Sequence, residues 1–336
     1  MTVKALESFG SKLAEQWVAT RLTPAFIFWL GGFITAIQSL GWNTLVTRYA
    51  AYPEPLQLAI FVGALCMVVA SAFAIQRFDT PIIRFLEGYW YPWLEPVRRA
   101  RIAYYRQYKQ DLIKRSNILR TCEKESKARF KDLKTIIETK GASVLTPVKR
   151  NEYEQLNECF LTSTQQETLA RIRIALQKLP DNKELMPTRL GNILRTAERR
   201  PLKKYGLDPI ICWSRLWFLL PEAARKDLQD ARADLNNAAR LWLWSILFLV
   251  WAIFGSWWAI PLGILSALFA YYTWALSAAV TYGDLLDAAF DLYRSQLYRV
   301  LRMPLPRNSE EEKEKGQILC ENLRRSPDQP IIYLDS

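Results

Sequence analysis

The sequence contains no histidine. That absence removes the commonest general base, the commonest zinc ligand and every Ser-His or Cys-His nucleophile arrangement. Cysteine is sparse: Cys66, Cys122, Cys159, Cys212 and Cys320 are scattered without CxxC spacing, which argues against a disulfide framework or a thiolate metal site. The glycine-rich phosphate loops, the HExxH and GxSxG motifs and the calcium-binding loop pattern are all missing. Carboxylates are plentiful, but no spacing singles out a catalytic pair. These absences lead to the expectation of a protein that is not an enzyme and holds no metal or cofactor.

Charge is missing from four apolar stretches, Pro24 to Trp42, Pro55 to Ile75, Leu241 to Trp257 and Leu262 to Tyr282, none of which contains Asp, Glu, Lys or Arg. Each approaches the roughly 20 residues that a helix needs to cross about 30 Å of hydrocarbon. Half the chain is apolar and it holds 13 tryptophans. The fold expected is an all-α polytopic membrane protein with four transmembrane helices and a helical cytoplasmic domain. The third stretch is the shortest and ends in Gly255-Ser256-Trp257-Trp258 before Pro261, so a re-entrant pair is the alternative there.

Orientation follows from the basic residues. Between Arg77 and Arg240 there are 33 basic and 20 acidic residues, whereas Asn43 to Glu54 has one of each and Trp258 to Ile260 none. The middle segment and both termini are therefore expected in the cytoplasm, facing the anionic leaflet. The organisation reads as an amphipathic surface helix over 1–22 (Val3, Leu6, Phe9, Leu13, Trp17), a first hairpin over 23–76 and a cytoplasmic domain over 77–240. A second hairpin over 241–282, a helical extension over 283–306 and a flexible tail over 307–336 follow, with Ile331 to Leu334 as a docking end.

Within the first span, Gly31-Gly32 and Ala36 offer a small-residue face for another helix, and Gln38 is the one strongly polar side chain. Gln38 either bonds to a neighbouring helix or lines a pore; Ser277 and Thr281 are the other pore-lining candidates. Glu87 and Glu95, beside the Trp- and Tyr-rich elbow at Phe85 to Arg101, read either as an inner-mouth cation site or as partners of nearby arginines. Val97 to Lys140 has helical periodicity without caps, a long arm whose best place to bend is Ser116-Asn117. Its basic charge is interspersed with acidic residues and lacks stacking platforms, which disfavours nucleic acid as a partner. Ser163 with Gln166, and Thr164 with Glu167, resemble capping boxes.

Leu190 to Pro221 concentrates the most signals. A helix carries Arg195, Arg199, Arg200, Lys203 and Lys204 beside a helix start at Asp208-Pro209, with Gly206 as the stop between them. Arginines near free helix N–H groups can hold phosphate, making this run the anion-site candidate; Asp208, as a carboxylate cap, argues against it, a basic surface or salt bridges being the favoured reading. The next helix is apolar on nearly every side and too short to span a bilayer. Tyr205, Asp208, Trp213, Arg215 and Trp217 are therefore candidates for a buried core or a subunit interface.

LEGYWYP (Leu86 to Pro92), LGNILRTAE (Leu190 to Glu198) and YGLDPIICWSRLWFLLP (Tyr205 to Pro221) resemble recurring signatures of an uncharacterised family of bacterial multi-pass membrane proteins. The resemblance runs from the second span to about Pro306. It implies the same helical architecture in a bacterial inner membrane and carries no catalytic residues. Few polar groups lie in the spans, so one subunit has little to enclose and a homo-oligomer is expected. The leading functional reading is an oligomeric channel or membrane effector gated through the basic cytoplasmic domain. A scaffold that recruits cytoplasmic protein partners is the alternative; a transporter is disfavoured by the lack of ionisable residues in the spans.

Overall fold

The computed structural model describes residues 22–140, 146–158 and 160–324. Nearly all of the expected helix over 1–22, the arm's stop at Gly141, Cys159 and the docking end Ile331 to Leu334 lie outside the described residues. There is no strand among the described residues. The helices are α1 Thr23–Leu40, α2 Trp42–Ala50, α3 Glu54–Gln76, α4 Asp79–Glu87, α5 Glu95–Lys140, α6 Pro147–Glu158, α7 Ser163–Gln177, α8 Arg189–Tyr205, α9 Pro209–Leu219, α10 Glu222–Ile253, α11 Ala259–Val300 and α12 Ser309–Arg324.

Four of these helices, α1, α3, α10 and α11, are long and apolar enough to cross a membrane. α10 and α11 have 32 and 42 residues. At 1.5 Å per residue they reach about 48 and 63 Å, well beyond a hydrocarbon core of about 30 Å. Each therefore continues as a stalk past its apolar run. No proline separates run from stalk, Gly283 at the start of the α11 stalk stays helical, and the chain breaks only at the far turn, where Gly255 takes a φ of 94°.

The described residues divide into two units, one built from those up to 91 with those from 188 onward and the other from those between 92 and 187. Of the segment 77–240, expected as one cytoplasmic domain, residues 77–91 and 188–240 fall in the first unit with the apolar helices, and 92–187 form the second. The reason is visible in α8, where Leu190, Ile193 and Leu194 are buried against Ile82, Ile83 and Leu86 of α4 and Leu235 and Ala239 of α10.

In the first unit, small residues set the helix contacts. A Cβ on Gly31 would lie 2.5 Å from the Phe248 ring, and one on Gly32 would lie 2.5 Å from Trp251. Glycine on α1 is what admits these α10 aromatics, and the Trp251 indole also donates to the Phe28 carbonyl at 3.0 Å. At the opposite end of the runs, Asp79 and Arg240 form a two-pronged ion pair whose Nε–Oδ1 bond is 2.7 Å. Arg240 also donates to Asn237 Oδ1 at 3.2 Å. The pair fastens the end of the α1–α3 hairpin to the α10–α11 hairpin.

Residues 309–324, expected within a mobile tail, form α12. Asn308 caps it, its side chain accepting from the N–H groups of Glu310 and Glu311. Leu319 and Cys320 are buried against α9 residues Cys212 and Leu216. Backbones meet directly where α12 crosses the end of α8: a Cβ on Gly316 would sit 2.0 Å from the Tyr205 carbonyl oxygen. Gly206, at φ 69°, provides the left-handed stop there.

The second unit is the long α5 with α6 and α7 packed along it. α5 runs unbroken through Ser116-Asn117 for 46 residues, so the expected bend is absent. Ser116 is buried instead, on the packed face with Leu112. Phe130 stacks on Tyr153 at 5.1 Å and meets Phe160 edge-on. The capping box of α7 sits one residue before the first expected box and two before the second, with Thr162 and Gln165 making the reciprocal bonds.

Candidate functional site

The basic run meets carboxylates, not an open pocket. Arg200 and Lys204, one turn apart on α8, face Asp287 and Asp291, one turn apart on α11. Arg200 pairs with Asp287; Lys204 Nζ lies 2.8 Å from Asp291 Oδ2, and the Tyr205 hydroxyl donates to Asp291 Oδ1 at 2.6 Å. The ladder continues through Arg294, whose guanidinium lies 4.0 Å above the Tyr205 ring and whose Nε donates to Glu312 of α12 at 2.7 Å. Burial raises the Asp287 carboxyl, with Arg200 opposing it. Burial would raise Asp291 too, but the bonds from Lys204 and Tyr205 bring it below its ordinary value. The two helices approach closely because Gly283 sits against Ala197.

Of the anion-site candidates Arg195, Arg199, Arg200, Lys203 and Lys204, Arg200 and Lys204 are paired with carboxylates in the ladder. The neighbouring helix start is filled as well. Asp208 accepts from the Ile210 N–H at 3.0 Å and faces Arg324 at 3.5 Å. Lys203 is exposed. Arg195, 3.9 Å from Glu198, leaves a buried Nε without a hydrogen-bond partner among the described residues.

Arg195 and Arg199 belong to a second cluster, which sequence spacing does not reveal because four helices contribute to it. Burial raises Glu87 of α4 to about 7, helped by Glu198 and opposed by Arg232, Arg84 and Arg195. Burial also raises Glu198, against Arg195, Arg199 and Arg232. The Arg232 guanidinium lies 5.5 Å from the Tyr282 ring centroid. Glu95 has a different fate in the other unit. It accepts from Arg98 and Arg99, whose hydrogen bonds hold its carboxyl below its ordinary value. Arginine is the neighbour of both glutamates.

The pore candidates also separate. Gln38 Oε1 accepts from the Ser256 hydroxyl at 2.8 Å and the Trp258 indole at 3.1 Å, tying α1 to the α10–α11 turn. Ser277 lies about 28 Å further along α11 at 1.5 Å per residue. Ser277 and Thr281, by contrast, share an exposed face with Thr273, at i, i+4 and i+8. The Ser277 hydroxyl donates to its own helix, at 2.8 Å from both Thr273 O and Trp274 O.

Just before this row, α11 contains a π-helical segment, Ala270–Ala275. It turns Tyr271 and Trp274 toward the other helices. The Leu190 N–H approaches the Tyr271 hydroxyl at 3.5 Å, and the Trp274 indole donates to Asp234 of α10 at 2.8 Å. A change in residues per turn shifts an apolar stripe, but this run is apolar on nearly every side and has no stripe to shift, so its sequence does not mark the segment.

The expected core helix α9 is half exposed. Cys212 and Leu216 are buried and Trp213 stacks on Phe290 of α11 at 6.1 Å, yet Ile210 and Phe218 are 84% and 81% exposed. Arg215 is exposed and donates to the Ile211 carbonyl, and Trp217 is half-buried beside Trp213. Comparison with family models, with curated proteins and with solved structures finds no match for this chain.

Proposed function

We propose that the chain is a multi-pass bacterial inner-membrane protein, with both termini and residues 77–240 in the cytoplasm, that assembles as a homo-oligomer and works as a channel or membrane effector. The observation that carries this reading is the exposed hydroxyl row Thr273, Ser277 and Thr281 within an otherwise apolar, charge-free run. Hydroxyls on such a face gain little from lipid but serve close helix association or a water-lined axis between copies. Gating would pass through the stalks. The ionic ladder ties α8 to α11 and α12, so motion of this bundle is transmitted to the apolar segment without a flexible joint. Membrane lipids of the anionic cytoplasmic leaflet would meet the basic elbow. The family resemblance carried by Leu86 to Pro92, Leu190 to Glu198 and Tyr205 to Pro221 is part of the same proposal.

The test is conductance of the reconstituted protein in planar bilayers, using Ser277→Cys and Thr281→Cys treated with a charged thiol reagent. Modification should change the current at these positions and not at Phe61→Cys on the exposed face of α3. No current, or equal effects at all three, overturns the reading.

A scaffold is the second reading, favoured by apolar side chains left exposed on α5. Tyr104 and Tyr108 stack at 6.3 Å in solvent, and Ile118 is 62% exposed. Loss of a co-purifying cytoplasmic protein in Tyr104→Ala/Tyr108→Ala/Ile118→Ser would support it; an unchanged set of partners would overturn it.

A further inference from the structure

A cleft of about 580 Å³ opens between α9, α10 and α11. Its volume falls in the range of small-molecule sites, roughly 300–1,000 Å³. Trp213 and Trp217 form one wall, their ring centroids 5.7 Å apart and their planes at 51°. Trp213 is held from behind by Phe290, so that wall is preformed. Phe218, also lining the cleft, leaves most of its ring in solvent. The opposite wall is polar. Arg232 faces in beside Tyr282, and the Asn236 Oδ1 is buried with no hydrogen-bond partner among the described residues.

A buried amide oxygen without a donor is costly, so a ligand that supplies an N–H or O–H there gains on binding. Aromatic walls alone would also suit a cation, but Arg232 repels one. Glu87 and Glu198 act on Arg232 from outside the cleft, neither lines it, and both are shared with other arginines, Arg84 and Arg195 at Glu87, Arg195 and Arg199 at Glu198. The remaining demand is for negative charge at Arg232, a flat apolar body against the two indoles and a hydrogen-bond donor near Asn236.

We propose that this cleft binds a small organic anion with a flat aromatic body, recognised by Arg232, Asn236 and the Trp213–Trp217 wall. The proposal stands independently of the channel reading. Two head-group chemistries fit Arg232, a phosphate as in a nucleoside monophosphate and a carboxylate as in an aromatic acid, and the probes separate them.

The experiment is equilibrium dialysis of the full chain in lipid nanodiscs with radiolabelled adenosine 5′-monophosphate or indole-3-acetate. Adenosine and ribose 5-phosphate serve as single-feature controls. At least one anion should bind tenfold or more tighter than the controls. Arg232→Gln should reduce that affinity at least tenfold while leaving adenosine unchanged, and Trp217→Ala should weaken the aromatic probes alike. Ala233, exposed on the cleft wall, offers a variant that does not touch the core. Ala233→Phe should block binding while preserving thermal stability. Binding no tighter than the controls, or unaffected by both Arg232→Gln and Ala233→Phe, overturns the proposal. Decanoate displacing the probe at equal concentration overturns the requirement for a flat body.

Discussion

Removing Asp79 isolates a charge that the fold has withdrawn from water. The Arg240 side chain is 11% exposed and that of Asp79 18%, and the pair is two-pronged. Breaking such a pair from one side costs about 3–5 kcal/mol, because the surviving ion stays desolvated. Asn237 still accepts one Arg240 N–H, which places Asp79→Ala near the lower end, about 3 kcal/mol. For a chain of 336 residues that is a fall in apparent Tm of roughly 4 °C. The assay is thermal unfolding in a fixed detergent, followed by far-UV circular dichroism at low and high salt. The loss should be nearly independent of salt, since a buried pair is poorly screened. Asp79→Leu with Arg240→Met should recover to within about 1 kcal/mol of the parent, the usual outcome when both ions are replaced by apolar groups. A loss below about 1 kcal/mol in the single variant, or a double variant as unstable as the sum of the singles, would refute the idea that this clamp joins the two hairpins.

Glu87 makes stability depend on pH. Its carboxyl is raised from the ordinary 4.5 to about 7 by burial, so the folded state holds the proton more tightly than the unfolded chain. Stability is then greatest below the unfolded value and is lost as pH rises from about 4.5 through about 7. Glu87→Gln should flatten that decline and gain on the order of 2 kcal/mol above pH 8, discounting for partial exposure; an unchanged profile in a pH series of melts contradicts the assignment. Gly316→Ala places a methyl group against the Tyr205 carbonyl and should release α12, read as faster protease cleavage within 309–324. Gln38→Leu should cost about 1 kcal/mol by removing two interhelical bonds to the α10–α11 turn, and no detectable loss in a detergent melt would show those bonds to be idle.

The four apolar helices and the α8 stop at Gly206 were readable because each rests on local physics: an absence of charge over a span, or a glycine where φ must be positive. Gly31-Gly32 was readable as a packing face, although not which aromatics would fill it. α12 was missed because three glutamates and few large apolar residues make it look solvated; only Asn308 with Glu311 hinted at its start. The fate of the basic run was not readable, since the carboxylates that meet Arg200 and Lys204 lie 87 residues away. Their matched one-turn spacing on α8 and α11 becomes informative only once the helices are placed side by side. The Glu87 cluster escaped for the same reason, as did the depth of burial on α9, where whole-helix apolarity concealed two exposed large side chains.

The central claim is that copies of this chain associate along the face of α11 that carries Thr273, Ser277 and Thr281. The most direct measurement is cross-linking in native membranes of Ser277→Cys, with Cys66, Cys122 and Cys159 replaced by alanine, using a short thiol-specific reagent. The account predicts a covalent dimer from Ser277→Cys, the limit for one reactive thiol per chain, and none from Phe61→Cys. Exclusive monomer at Ser277, with efficient cross-linking from the α3 face, would contradict it.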